Sequence, residues 1–265
     1  MILSIHPFNY AITSYLHIHG YGIAIALSVL VLFACITYHV RHKASIAVIS
    51  SLFSNSIIIG CIGGKILHII SEPHLYKTSF EYLQFWKGGF SIFGTIIALA
   101  LYIPPALYQN NLPLLPSLDI VARFAPLAHA IGRLGCLWAG CCYGCTTSLS
   151  SLLAVRYTHT TIKAPVGVPL IPAQLYSSLS FLALFIIVHY IVGRYTQKPG
   201  ILLCIYIIGL CIERFCMDFI RSDRIITGNS LLSMHQWIAL AIAIGTLSMF
   251  GILYSRIQKK HVVLQ

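Results

Sequence analysis

Arginine and cysteine share one apolar stretch, "IGRLGCLWAGCCYG", residues 131–144. Arg133 is surrounded there by apolar residues. Gly132 and Gly135 flank it, and their missing side chains let another backbone or a ligand come close. A charge so placed in apolar sequence points to a functional role for Arg133. A second stretch, "ERFCMDFIR", spaces Arg214, Asp218 and Arg221 by four and three, so on a helix they share one face. Two readings of that stripe stand. It could hold a phosphate between two guanidiniums with the carboxylate orienting one of them, or it could be an internally neutralised ion network between helices.

The cysteines raise a separate question. Cys136, Cys141, Cys142 and Cys145 form C-x4-C-C-x2-C, while Cys35, Cys61, Cys204, Cys211 and Cys216 are scattered through apolar runs and read as small hydrophobes. For the cluster, disulfides stapling a loop in an oxidising compartment, thiol redox chemistry, metal binding and plain small-residue packing all compete. No metal is assigned, because four crowded cysteines without a second, separated pair are poor tetrahedral zinc spacing. Four cysteines allow three pairings, so connectivity stays open.

The elements that must position these groups are membrane spans. Only 9% of the 265 residues are charged and 58% are apolar, against about a quarter charged in ordinary soluble domains. Apolar runs near residues 22–39, 46–70, 88–108, 117–140, 172–193, 200–221 and 233–255 predict an all-α polytopic membrane protein of about seven helices, in a single domain over 1–265. The fourth run carries Pro116, Asp119, Arg123, Pro126, His129 and Arg133, so it is expected to pack inside the bundle rather than against lipid. Lys65 and Glu213 add two more charges within spans, where each central charge costs about 2.5–3.5 kcal/mol.

Basic residues in "HVRHK" (Arg41, Lys43), "RYTQK" (Arg194, Lys198) and "SRIQKK" (Arg256, Lys259, Lys260) fall on one side of a seven-span chain. That side is expected to be cytoplasmic, with the N-terminus outside and the C-terminus inside. The N-terminal stretch lacks a basic region, an apolar core and a small-residue cleavage site in series, so no cleaved signal is expected. The formal charge of +11 serves topology and anionic headgroups. No nucleic-acid partner is expected, since no soluble segment interleaves a basic stripe with aromatics.

The stretch around Arg133 resembles the signature of the prolipoprotein diacylglyceryl transferase family, roughly G-R-x-G-N-F-x-N-x-E-x-x-G, with Gly132, Arg133, Gly135 and Gly144 matching. Other blocks follow in the family's order: "GYG" from Gly20, "WKGGFSIFG" from Trp86, "PAQLY" from Pro172, "RFCMDFIR" from Arg214 and "LSMHQW" from Leu232. The resemblance implies a multi-pass enzyme of a bacterial inner membrane, active at its outer face. Such an enzyme moves the diacylglyceryl group of phosphatidylglycerol onto the lipobox cysteine of lipoprotein precursors. Under that resemblance Arg133 and Arg214 clamp phosphate, and Tyr21, Asp218 and Arg221 line the same site. Gly132, Gly135, Gly144, Gln174 and Tyr176 fall in substrate-binding blocks. Membrane lipids are its surroundings; no cofactor and a monomer are expected.

Departures from the family pattern cluster at the chemistry. Cys136 and Ala139 stand for the signature's asparagines and Cys141 for its glutamate; Phe93 replaces a histidine, Leu210 a tyrosine and Ser177 a glutamate. The resemblance therefore leaves Cys141 as a partial substitute base in a diverged catalytic set. It also keeps open an alternative, a non-transferase paralogue that retains the lipid-binding fold and uses its cysteines for thiol redox chemistry or partner binding.

Overall fold

The computed structural model describes residues 2–5, 9–13, 16–42, 45–76, 78–85, 89–148, 153–158, 164–196, 198–224, 226 and 231–263. The long helices are α1 (Gly20–Val40), α2 (Ile46–Ser71), α3 (Ile92–Gln109), α4 (Leu114–Ala139) and α5 (Ala173–Ile186). A π-helical turn, Ile187–Val192, carries α5 into the short α6 (Gly193–Tyr195), and α7 (Ile201–Met217) and α8 (Met234–Val263) complete the set. Six of the resulting segments are long and apolar enough to cross a bilayer. α7 has 17 residues, about 26 Å at 1.5 Å per residue, which is the short end of what spans a hydrocarbon core. Each expected apolar run thus becomes one helical segment. Leu30, Leu101 and Ile244, with exposures of 63%, 73% and 64%, supply the apolar exterior that lipid solvates.

The chain divides into two compact units, one of residues 37–117 and the other of residues 1–36 with 118–265. In the first, α2 and α3 meet along small residues. Thr95 Oγ1 donates to the Gly60 carbonyl at 2.9 Å, the Ser91 amide donates to the Gly64 carbonyl at 3.0 Å, and a Cβ at Gly64 would come within 2.7 Å of Thr95 Oγ1. Such seams let backbones approach where no hydrophobic force separates helix from lipid. Lys65 is buried, its ammonium 3.4 Å from the Gln84 carbonyl and 5.0 Å from the Tyr76 ring centre. It therefore does not snorkel; cation–π and carbonyl contacts replace water.

In the second unit, Ala130 of α4, Phe181, Leu184 and Val188 of the α5 segment and Leu202 of α7 form an apolar core. Two charges of α4 have structural work beside it. Asp119 accepts from the Gly200 and Leu203 amides at 2.6 and 2.8 Å, capping the start of α7, and Arg123 donates to the Gly193 carbonyl at 3.2 Å, closing the end of the α5–α6 segment. At the far end of α7, Ser233 and Gln236 form a reciprocal capping box for α8, Ser233 N–H to Gln236 Oε1 at 2.9 Å and Gln236 N–H to Ser233 Oγ at 3.2 Å. Gln236 Nε2 also reaches the Phe215 carbonyl at 3.1 Å, which ties the "LSMHQW" block to α7.

Short strands add to the helices. β1 (Ile2–Ile5) runs parallel to β4 (Ala154–Tyr157), with Ile2 opposite Ala154, and β5 (Pro169–Leu170) pairs antiparallel to β4. β2 (Asn9–Thr13) and β3 (Leu16–His19) form a hairpin. Val155, Tyr157 and Leu170 pack with Leu137, seating this small sheet on the last turns of α4. Four-residue strands such as "AVRY" lie below what an alternation pattern reveals in sequence.

Candidate active site

α4 ends in a turn that organises the cysteine cluster. Gly140 adopts φ 68, its amide donates to the Leu137 carbonyl at 3.4 Å, and the Cys141 amide donates to the Cys136 carbonyl at 3.2 Å. That pair of bonds is a Schellman cap, which brings the side chain just past the helix against the one five residues earlier. Cys141 therefore turns inward, its thiol 3.8 Å from the Cys136 carbonyl. Cys142, at φ 58, takes the next left-handed step and reaches the cleft. Gln174 Nε2 holds the Cys141 carbonyl at 2.7 Å, and Tyr157 Oη holds that of Leu137 at 2.8 Å.

The cleft lies between the C-terminal ends of α4 and α7 and the start of α5. Arg133, Cys142, Ala173, Gln174, Ser177, Glu213, Arg214, Met217 and Arg221 line it. The first turn of α5 brings the positive end of its dipole to the same place, which favours an anion there. The two families of readings for the Arg–Asp–Arg stripe resolve residue by residue. Arg214 Nη2 lies 3.2 Å from Asp218 Oδ1, but Arg221 binds Asp223 instead, through two bonds of 2.8 and 2.6 Å. Asp218 is fully buried, and Arg224 and His235 each stand 3.9 Å from it; its oxygens accept no hydrogen bond among the described residues. Arg133 has no carboxylate partner among the described residues, and its guanidinium sits 5.8 Å from the Phe181 ring centre.

Glu213 is buried and accepts a hydrogen bond from Ser177 Oγ. A carboxylate is therefore present beside Ser177, on α7 rather than on α5. Outside the spans, the hydrogen bonds of Arg221 hold the Asp223 carboxyl below the usual carboxylate range despite partial burial. Hydrogen bonds from Cys136 and Cys141, with the Arg221 and Arg133 charges, pull the Cys142 thiol down; the same coupling pushes Cys141 up.

Of the expected site residues, the structure gathers Arg133, Arg214, Arg221, Gln174 and Cys142 around one cleft. Tyr21, Tyr176 and Cys141 do not line the cleft among the described residues. The glycines have packing roles: a Cβ at Gly135 would come within 2.6 Å of the Ala24 Cβ on α1, and one at Gly144 within 2.7 Å of Ile171 Cβ. Gly132 has no such constraint, its added Cβ meeting Ile25 at 3.8 Å. Cys145 is exposed, and all nine cysteines carry free thiols. The sequence reading missed Asp223, although "RSDR" places it two residues after Arg221, and it singled out Glu213 only as a charge in a span.

Six helices long and apolar enough to cross a membrane define a polytopic integral membrane protein. A model of the family "Prolipoprotein diacylglyceryl transferase" matches residues 7–252, and the chain belongs to that family. It is similar to the phosphatidylglycerol–prolipoprotein diacylglyceryl transferase of Clostridium tetani, 34% identical over 246 residues, which covers 89% of this chain and 94% of the relative. A second transferase so named, from Clostridium perfringens, is 36% identical over 74% of this chain and 75% of its own, and one from Dehalococcoides mccartyi is 31% identical over 91% and 92%. These likenesses favour the transferase over the non-transferase paralogue.

Proposed function

We propose that the chain transfers the diacylglyceryl group of phosphatidylglycerol to the cysteine thiol of a lipoprotein precursor, at the outer face of a bacterial plasma membrane, and that residues 1–265 act as one domain. The observation that carries this reading is the convergence of Arg133, Arg214 and Arg221 on one cleft, with Arg133 lacking a carboxylate partner among the described residues. The lipid phosphate sits against Arg133 and the N-terminal turn of α5. Arg214 and Arg221, held in place by Asp218 and Asp223, face the leaving oxygen. Glu213, the cleft carboxylate bound by Ser177 rather than by an arginine, accepts the proton of the substrate thiol. The sulfur then attacks the glyceryl carbon, a C–S bond forms, the C–O bond to phosphate breaks, and glycerol phosphate leaves with the electron pair stabilised by guanidinium donors.

Pairing of β1 with β4 puts the N-terminal segment on the same side as the α4–α5 loop, as four crossings between them require, and the assignment of that side to the outside rests on the basic residues of the opposite loops. The test is complementation of a bacterium depleted of its own diacylglyceryl transferase. Restored growth and lipid-modified lipoproteins are expected; no growth with the protein present and inserted in the membrane overturns the reading.

A further inference from the structure

The thiol groups of Cys136, Cys141 and Cys142 all lie within 4.8 Å of one another, a closeness in space that their linear spacing does not convey. The Schellman cap at Gly140 folds Cys141 back over Cys136, and the left-handed Cys142 closes the third side. All three residues are partly buried, while Cys145, the fourth of the motif, is exposed and stands outside the group. The platform is fixed from several directions. Gln174 holds the Cys141 carbonyl, and the Tyr143 carbonyl just beyond accepts from the Ser222 amide at 3.2 Å.

We propose that Cys136, Cys141 and Cys142 form a three-sulfur site for a soft, thiophilic cation of filled d shell, Cu+ or Zn2+ being the two representatives of that chemistry. Three sulfurs about 2.3 Å from a common ion stand about 4 Å apart, so small side-chain rotations suffice to close the site. Binding converts three thiols into three thiolate ligands. Each ligand that was protonated gives its proton to solvent, and no electron moves. Cu+ is satisfied by three sulfurs, whereas Zn2+ keeps a fourth position for water. The site does not depend on the transferase reading, because it is defined by the sulfurs alone.

The experiment uses the full chain, reduced and solubilised in detergent. Cd2+ titration followed by thiolate-to-metal charge-transfer absorbance reports sulfur ligation directly, and competition of Zn2+ and Cu+ against chromophoric chelators ranks the two. One ion per chain is expected. Cys136→Ser, Cys141→Ser and Cys142→Ser should each weaken it by about 100-fold or more, since even loss of an outer-shell partner costs about 10- to 100-fold. Cys145→Ser and Cys216→Ser should leave binding unchanged. Unaltered helical circular dichroism in each single variant separates a lost ligand from a lost fold. Absence of the charge-transfer band in the parent, equal binding by the triple-serine variant, or equal weakening by Cys145→Ser overturns the site.

Discussion

At the scale of residues, charges inside this membrane protein divide by what they touch. Asp119 and Arg123 close helix ends, Lys65 is held by a carbonyl and rings, and Arg214 and Arg221 have carboxylates beside them. Among the described residues Arg133 alone of the cleft arginines has no carboxylate partner, so Arg133→Ala should lower the transfer rate by about 10² to 10³, the usual cost of one transition-state donor. Arg133→Lys should recover only part, because an ammonium lacks the bidentate fork. Initial rates in reconstituted vesicles decide this; a full rate in Arg133→Ala at equal protein removes the phosphate role. Glu213→Gln should depress kcat more than KM, whereas an unchanged kcat at equal protein assigns the proton elsewhere. The Arg221–Asp223 pair predicts acid sensitivity of stability. The Asp223 carboxyl is depressed in the folded state, so its contribution is present above its ordinary pKa of about 3.9 and is lost as pH falls through the lower folded value. The difference in melting temperature between the parent and Asp223→Asn should stay constant near neutrality and shrink below about pH 4. Arg133 and Arg214 were legible because charges are rare in such sequence. The Ser177–Glu213 bond was not, since it joins two helices and has no local signature.

At the scale of elements, helices were legible and their joints were not. Apolar runs of about 20 residues mark a span by length alone. The turn after α4 was readable in part, because glycine just past a helix signals a left-handed cap. What spacing did not convey is that the cap sends Cys141 inward and Cys142 to the cleft, which moves the cysteine facing the arginines by one residue. The two glycines around Arg133 make an internal comparison. Gly135→Ala would put a Cβ 2.6 Å from that of Ala24 and force α1 and α4 apart, at about 1–3 kcal/mol in the manner of overpacked cores. Gly132→Ala meets only Ile25 among the described residues, at ordinary contact distance, and should melt no lower than the parent. Thermal unfolding in detergent reads both, and equal melting of the two variants would contradict close packing of α1 on α4.

At the scale of the whole molecule, charge asymmetry predicts which face is cytoplasmic, and strand pairing shows which segments share a face. Reporter fusions at His42 and Lys198 should read cytoplasm and one at Ser148 the outside; a cytoplasmic signal at Ser148 defeats the seven-crossing arrangement. The parallel pairing of Ile2–Ile5 with Ala154–Tyr157 also bears on the order of assembly. A strand made among the first residues waits for its partner until four helices and half of the next loop have emerged from the ribosome. Loop closure over that separation is slow compared with local helix formation, so the sheet is among the late contacts to form. Since Val155, Tyr157 and Leu170 rest on the end of α4, the surroundings of the cysteine turn mature only when that distant pairing closes. A chain from which the Ile2–Ile5 strand is deleted would therefore insert its helices yet leave the surroundings of the cysteine turn unfinished.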